Sequence, residues 1–106
     1  MRILKVSGLE VRWEVKPSQE FIYVTIVYIS GMDVDKITYK CDLLTFEILE
    51  MSLVRNKSFI KGCHAVLRRL GYMEKKTFIS GTGLFKKEVN RRFFTKEFII
   101  EEGSNS

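Results

Sequence analysis

The chain has 106 residues, of which 45% are hydrophobic and 29% charged, with one Pro and eight Phe. That composition describes a single folded domain with a modest core and excludes intrinsic disorder; two cysteines exclude a disulfide framework, and no apolar run is long enough for a transmembrane helix. The formal net charge is +5, which points toward a polyanionic partner.

Placement of the charge says more than its sum. Residues 1–54 carry six Lys/Arg and eight Asp/Glu, residues 55–96 carry twelve and two, and residues 97–106 carry three Glu and no base. One segment therefore holds most of the positive charge. Such asymmetry within one domain predicts a basic face.

The amino terminus, Met-Arg-Ile-Leu-Lys-Val, alternates and lacks the apolar centre of a signal peptide. Leu9, Val11, Trp13 and Val15 then line one strand face, and Glu10, Arg12, Glu14 and Lys16 the other. Gly8 marks a bulge or bend between these two short strands. Pro17-Ser18-Gln19 is a turn. Phe21 to Ser30, dense in β-branched and aromatic residues, reads as a central strand with both faces partly apolar. Gly31-Met32-Asp33 is the next turn. Ile37, Tyr39, Cys41 and Leu43 alternate with polar residues, and the phase slips by one at Leu43-Leu44. A helix over 42–54 would scatter its apolar positions around the cylinder, so the slip predicts a bulge in one long strand.

The longest regular stretch runs from Leu53 to Tyr72. Leu53, Ile60, Cys63, Leu67 and Leu70 recur at helical spacing, widened by Phe59 and Val66. Ser52, Asn56 and Ser58 are the candidate N-caps, and Gly71 supplies the C-terminal stop. The spacing predicts a helix over about 53–70. A second stripe, Lys57, Lys61, His64 and Arg68, runs about 120° from the apolar centre.

After Gly71, Met73 to Ile79 reads as a strand and Ser80-Gly81-Thr82-Gly83 as a hairpin turn. Residues 84–91 fit a short helix or a strand. Arg92 to Glu101 reads as a strand, and 103–106 as a disordered tail of the single 1–102 domain. The expected fold class is α+β: an antiparallel sheet of four to six strands, the long helix packed on one face, and a carboxy-terminal hairpin extending or flanking the sheet.

No catalytic signature stands in the chain. There is one His and no HxxxH, CxxC or GxSxG. His64, in a cationic stripe, reads as a surface polar residue rather than a general base. Cys41 and Cys63 read as buried small hydrophobes, which suits a reducing cytoplasm. Asp33, Asp35 and Asp42 lack the glycine-spaced loop of a calcium site. No metal or cofactor is called for, and no enzymatic activity is expected.

The basic segments point instead to phosphates. Lys75, Lys76, Lys86, Lys87, Arg91, Arg92 and Lys96 interleave with Phe78, Phe85, Phe93 and Phe94. Cations follow a phosphate backbone while aromatic rings stack on bases. The expected nucleic-acid contacts are Lys57, Lys61, Arg68, Lys86, Lys87, Arg91 and Arg92, with Phe85 or Phe94 stacking. The run Leu67 to Lys76, Leu-Arg-Arg-Leu-Gly-Tyr-Met-Glu-Lys-Lys, locally resembles the recognition-helix-to-wing junction of winged-helix DNA-binding domains. The resemblance implies that the hairpin around Gly81–Gly83 is a wing.

The reading is therefore a small nucleic-acid-binding protein (DNA or RNA, single or double strand) without a membrane partner. The alternative is a protein-interaction module, an accessory subunit or an inhibitor of a host enzyme. It would cover an acidic protein surface or pair as a homodimer through apolar strand faces at Phe21–Ile29 or Phe94–Ile100.

Overall fold

Alternation of apolar and polar residues organises the first half of the chain. In the computed structural model, which describes residues 2–6 and 8–104, five strands form one antiparallel meander in chain order. They are β1 Arg2–Val6, β2 Leu9–Pro17, β3 Phe21–Ser30, β4 Asp33–Asp42 and β5 Ile48–Met51. The register sets Val11 opposite Tyr28, Trp13 opposite Ile26, Ile26 opposite Ile37 and Val24 opposite Tyr39. These residues make the buried face. The other face is a mixed grid in which Glu10 meets Lys5 and Arg12, Glu14 meets Lys16, and Lys40 lies over the Phe21 ring.

The phase slip at Leu43-Leu44 is a chain reversal, not a bulge in one strand. Asp42 Oδ1 accepts from the backbone N–H of Leu44 and Thr45 at 2.8 and 2.9 Å, and the Phe46 N–H reaches back to Asp42 O at 3.0 Å. Phe46 takes a positive φ of 65°, an uncommon conformation for a bulky side chain. The bulge lies further on. The ladder steps from Lys40↔Glu50 to Cys41↔Ile48, leaving Leu49 as the extra residue.

Helix α1 spans Lys57–Arg69 and lays Ile60, Cys63 and Leu67 on the sheet. Burying each large aliphatic side chain contributes roughly 1.5–3 kcal/mol. Among the three candidate caps, Asn56 is the one used: its side chain accepts from Ser58 N–H and Phe59 N–H. The helix is thus shorter than the predicted 53–70, and Leu53, fully exposed at 100%, belongs to the preceding loop. At the other end Gly71, with φ +80°, lets Tyr72 N–H reach Leu67 O and Gly71 N–H reach Arg68 O. This is the paired C-terminal closure that a left-handed glycine permits.

The second half adds a two-stranded ribbon, β6 Met73–Ser80 paired with β7 Lys87–Phe94, closed by a short 3-10 turn at Gly83–Phe85. The ribbon is a separate sheet, joined to the first by a bridge between Glu47 and Phe93 and by Phe94 N–H to Phe46 O. It flanks the sheet rather than extending it. Five strands precede α1 and no helix does among the described residues, so the winged-helix likeness stops at the local run.

The strand expected over Arg92–Glu101 divides at Thr95. Residues to Phe94 belong to β7, and Lys96–Ser104 form helix α2. Phe94 and Phe98 stack at 4.9 Å, and Phe98 stacks on Trp13 at 4.5 Å. Trp13 Nε1–H donates to Phe98 O at 3.3 Å. Phe94, Phe98 and Ile99 are therefore this domain's own core, not a surface for a partner. The tail expected at 103–106 begins within the last turn of α2, and residues 105 and 106 lie outside the described residues. Among the described residues no helix is long and apolar enough to cross a membrane.

A helix over 96–104 places Phe98 and Ile100 on different sides, whereas a strand would place them on one. Phe98→Ala is expected to cost about 3–5 kcal/mol of unfolding free energy, as large-to-small aromatic changes in cores do. Ile100→Ala, at a half-exposed position, is expected to cost about 1 kcal/mol or less. Urea denaturation of both variants checks the contrast; equal costs would return the segment to a strand.

Candidate functional site

The ribbon's register decides which cations meet the helix. Met73 and Phe94 pair at its root and point into the core. Side chains alternate along a strand, so the next pair on that face is Lys75 with Arg92. These two sit beside the exposed flank of α1. Lys61, His64, Arg68, Lys75 and Arg92 line one shallow depression of about 220 Å³. Among the described residues no carboxylate lies within 4.0 Å of the four cationic groups.

Neighbouring positions on the opposite ribbon face differ. Lys76 and Arg91 also pair across the strands, but each is compensated. Lys76 lies 3.7 Å from Glu74 and over the Phe93 ring. Arg91 lies 3.5 Å from Glu47 and over the Phe78 ring. Like charges directly opposite one another in a ladder are destabilising. The fold relieves one such pair with acids and rings and leaves the other open.

Of the expected contact residues, Lys61, Arg68 and Arg92 are brought together. Lys57 stands at the first turn of α1, outside the depression. Arg91 faces the other way, toward Glu47. Phe85, Lys86 and Lys87 lie at the far end of the ribbon. Phe94 is only 2% exposed, with its ring between Phe98 and Tyr39, so it offers no face for a base. Lys75 joins the group although no local spacing prefers it to Lys76. The signal is its cross-strand pairing with Arg92, which only the register reveals.

His64 floors the depression. It is 3% exposed, contrary to the surface position expected of it, and its Nε2 lies 2.9 Å from Tyr39 Oη. Burial lowers its pKa to about 4, with Arg92 and Arg68 adding to the effect. It is a neutral imidazole at pH 7 and adds no charge to the group above it. Burial likewise pushes Cys41 and Cys63 up to about 12, so both are inert thiols, as free buried cysteines usually are. Asp33 and Asp42 stand at opposite ends of β4, and Asp42 serves the turn at Leu44-Thr45. Among the described residues no group of three or more His, Cys, Asp or Glu is arranged to hold a metal.

Comparison with protein-family models, curated proteins and solved structures finds no significant match. Geometry and charge alone carry the functional reading.

The depressed His64 pKa has a consequence for stability. Between about pH 6.5 and 4 the unfolded chain binds a proton at this residue that the folded chain does not, so stability falls as pH drops through that window. The thermal midpoint is expected to decline from pH 7 to pH 4, and His64→Gln, which cannot titrate, to flatten the decline. Thermal melts of both proteins across that range test it; identical slopes would mean that His64 is not the titrating group.

Proposed function

We propose that the protein binds nucleic acid through its phosphate backbone, using Lys61, Arg68, Lys75 and Arg92 as the primary contacts. The observation that carries this reading is the convergence of four cations from two separate segments on one depression that no carboxylate lines. Cations held together without acids raise the local potential and concentrate anions. Each phosphate they neutralise releases condensed counterions. The neutral His64 beneath them keeps the floor polar without adding repulsion. A cytoplasmic location goes with this reading, since two free buried thiols suit a reducing compartment.

Four contacts predict a slope of log K against log salt of about −3.6 on duplex DNA, or steeper where further ribbon cations join. Arg92→Ala and Lys61→Ala should each weaken binding regardless of sequence and flatten the slope by about one. Lys36→Ala, on the sheet face away from α1, should leave both unchanged. Fluorescence anisotropy of a labelled oligonucleotide across 50–300 mM salt (roughly the range over which such contacts weaken steeply) measures all three. Absence of binding at the lowest salt would favour an acidic protein surface as the partner instead.

A further inference from the structure

The ribbon carries a feature that phosphate contact does not use. Its closing turn presents Leu84 at 99% and Phe85 at 86% exposure, two large apolar side chains at the tip of a cationic arm. The molecule is elongated to match, with extents of 48 × 32 × 23 Å and a radius of gyration of 14.8 Å, against roughly 13 Å for a compact chain of this length.

The tip is shaped rather than slack. Residues 83–85 form a 3-10 turn, and Phe85 N–H reaches Thr82 O at 3.2 Å. Gly81, with φ +93°, lies so close to the turn that a Cβ there would sit 2.4 Å from Phe85 O. Only glycine allows the chain to fold back this tightly. The fold-back holds Leu84 and Phe85 outward, with Lys86 and Lys87 following them.

We infer that this tip is a wedge that inserts between base pairs of duplex DNA and bends it, while the four cations at the ribbon's root hold the phosphates. The inference rests on the nucleic-acid reading above and specifies its substrate. Three observations favour a duplex over a single strand. A single-strand platform needs several free aromatic faces along one cationic groove. Here Phe94 is in the core, Phe93 is covered by Lys76 and Phe78 by Arg91, which leaves Phe85 alone. An apolar pair at the end of a narrow arm is instead the form of side chains that unstack a base step from the minor groove. The arm also has suitable reach: from Lys75 to Ser80 five strand steps span about 17 Å, or about five base pairs at 3.4 Å each. β-Ribbons are known to enter either groove of B-form DNA, while the deep, narrow major groove of A-form RNA is closed to side chains.

The experiment uses the full chain and a duplex of about 30 base pairs, well below the DNA persistence length, carrying a donor and an acceptor dye at its two ends. Binding is followed by anisotropy and bending by energy transfer. Saturating wild-type protein is expected to raise the transfer. The double variant Leu84→Ser/Phe85→Ser, altered only at exposed positions, is expected to lose that rise while keeping the salt slope of binding. Salt-dependent binding without a change in transfer, or a rise that the double variant retains, would overturn the wedge and leave the phosphate contacts standing. Preference for single-stranded oligonucleotide that depends on Phe85 would overturn it in favour of stacking. A wild-type dimer in light scattering that the double variant dissociates would assign the tip to a second copy of the chain. Failure to bind any oligonucleotide would remove both readings together.

Discussion

Everything that positions the cationic group depends on one aromatic stack. Trp13 from β2, Phe98 from α2 and Phe94 from β7 lie ring on ring, with Tyr39 edge-on to Phe94 at 5.1 Å and Tyr72 tilted against Trp13 and Phe98. These side chains carry more buried area per residue than any aliphatic, and their mutual contacts add roughly 0.5–1.5 kcal/mol per pair. The stack closes the domain, joining α2 and the ribbon's root to the sheet alongside the buried Met73 and Ile99 and the Phe94 N–H to Phe46 O bond. It also fixes a parity. With Phe94 pointing inward, Arg92 must share its face and Arg91 must not. A slip of one residue would turn every ribbon side chain over, bringing Lys76 and Arg91 to α1 in place of Lys75 and Arg92.

The second constraint is electrostatic. Two consecutive like-charged pairs stand across the ribbon, an arrangement that costs stability in any ladder. The few acids available are spent on one of them. Glu47 reaches Arg91 because the turn at Asp42–Phe46 delivers it to the ribbon's edge, and Glu74 reaches Lys76 from two residues earlier on the same face of β6. Exposed pairs of this kind are worth at most about 1 kcal/mol, so their effect is to direct charge rather than to hold the fold. Acids and rings thus accompany the cations of the outer ribbon face, while no carboxylate lines the depression over His64.

How much of this was legible follows from the range of each signal. Helix α1 announced itself because Ile60, Cys63 and Leu67 repeat at its own period, and β2, β3, β4 and β6 because alternation, β-branched composition and flanking turns are equally local signals. The reversal after Asp42 was hidden because it contains no Gly or Pro; it is built from an Asp side chain and a left-handed Phe46, neither of which has a reliable local signature. Phe94 to Ile100 reads as a strand by composition and becomes part helix because packing against Trp13, 85 residues away in sequence, overrides propensity. The site was half visible for the same reason. Charge and stripe marked Lys61, Arg68 and Arg92, but choosing Arg92 over Arg91, and adding Lys75, needs the ribbon's register against a core contact that no local pattern contains. His64 was misplaced because its neighbours on the stripe are exposed, whereas it alone lies over Tyr39.

The ribbon's stability is graded along its length, and the grading matches its chemistry. A lone two-stranded hairpin is marginal in water. At the root, Met73 and Phe94 are buried, Thr95 Oγ1–H donates to Gly71 O, and Thr95 N–H donates to Tyr72 O. In the middle, Lys76 over Phe93 and Arg91 over Phe78 each supply roughly 0.5–1 kcal/mol, enough to offset their like-charge opposition. Beyond Phe78 the ladder has only its own hydrogen bonds, and no burial supports it. Opening free energy therefore falls from root to tip. A rigid root keeps Lys75 and Arg92 in fixed relation to α1, which is what a set of phosphate contacts requires. A compliant outer half with an ordered turn can follow a groove whose path is not known in advance. Neither property would survive exchange of the two ends, since a cationic tip would gain nothing from the turn that Gly81 allows, and an apolar root without Phe94's stack would not hold the arm at all.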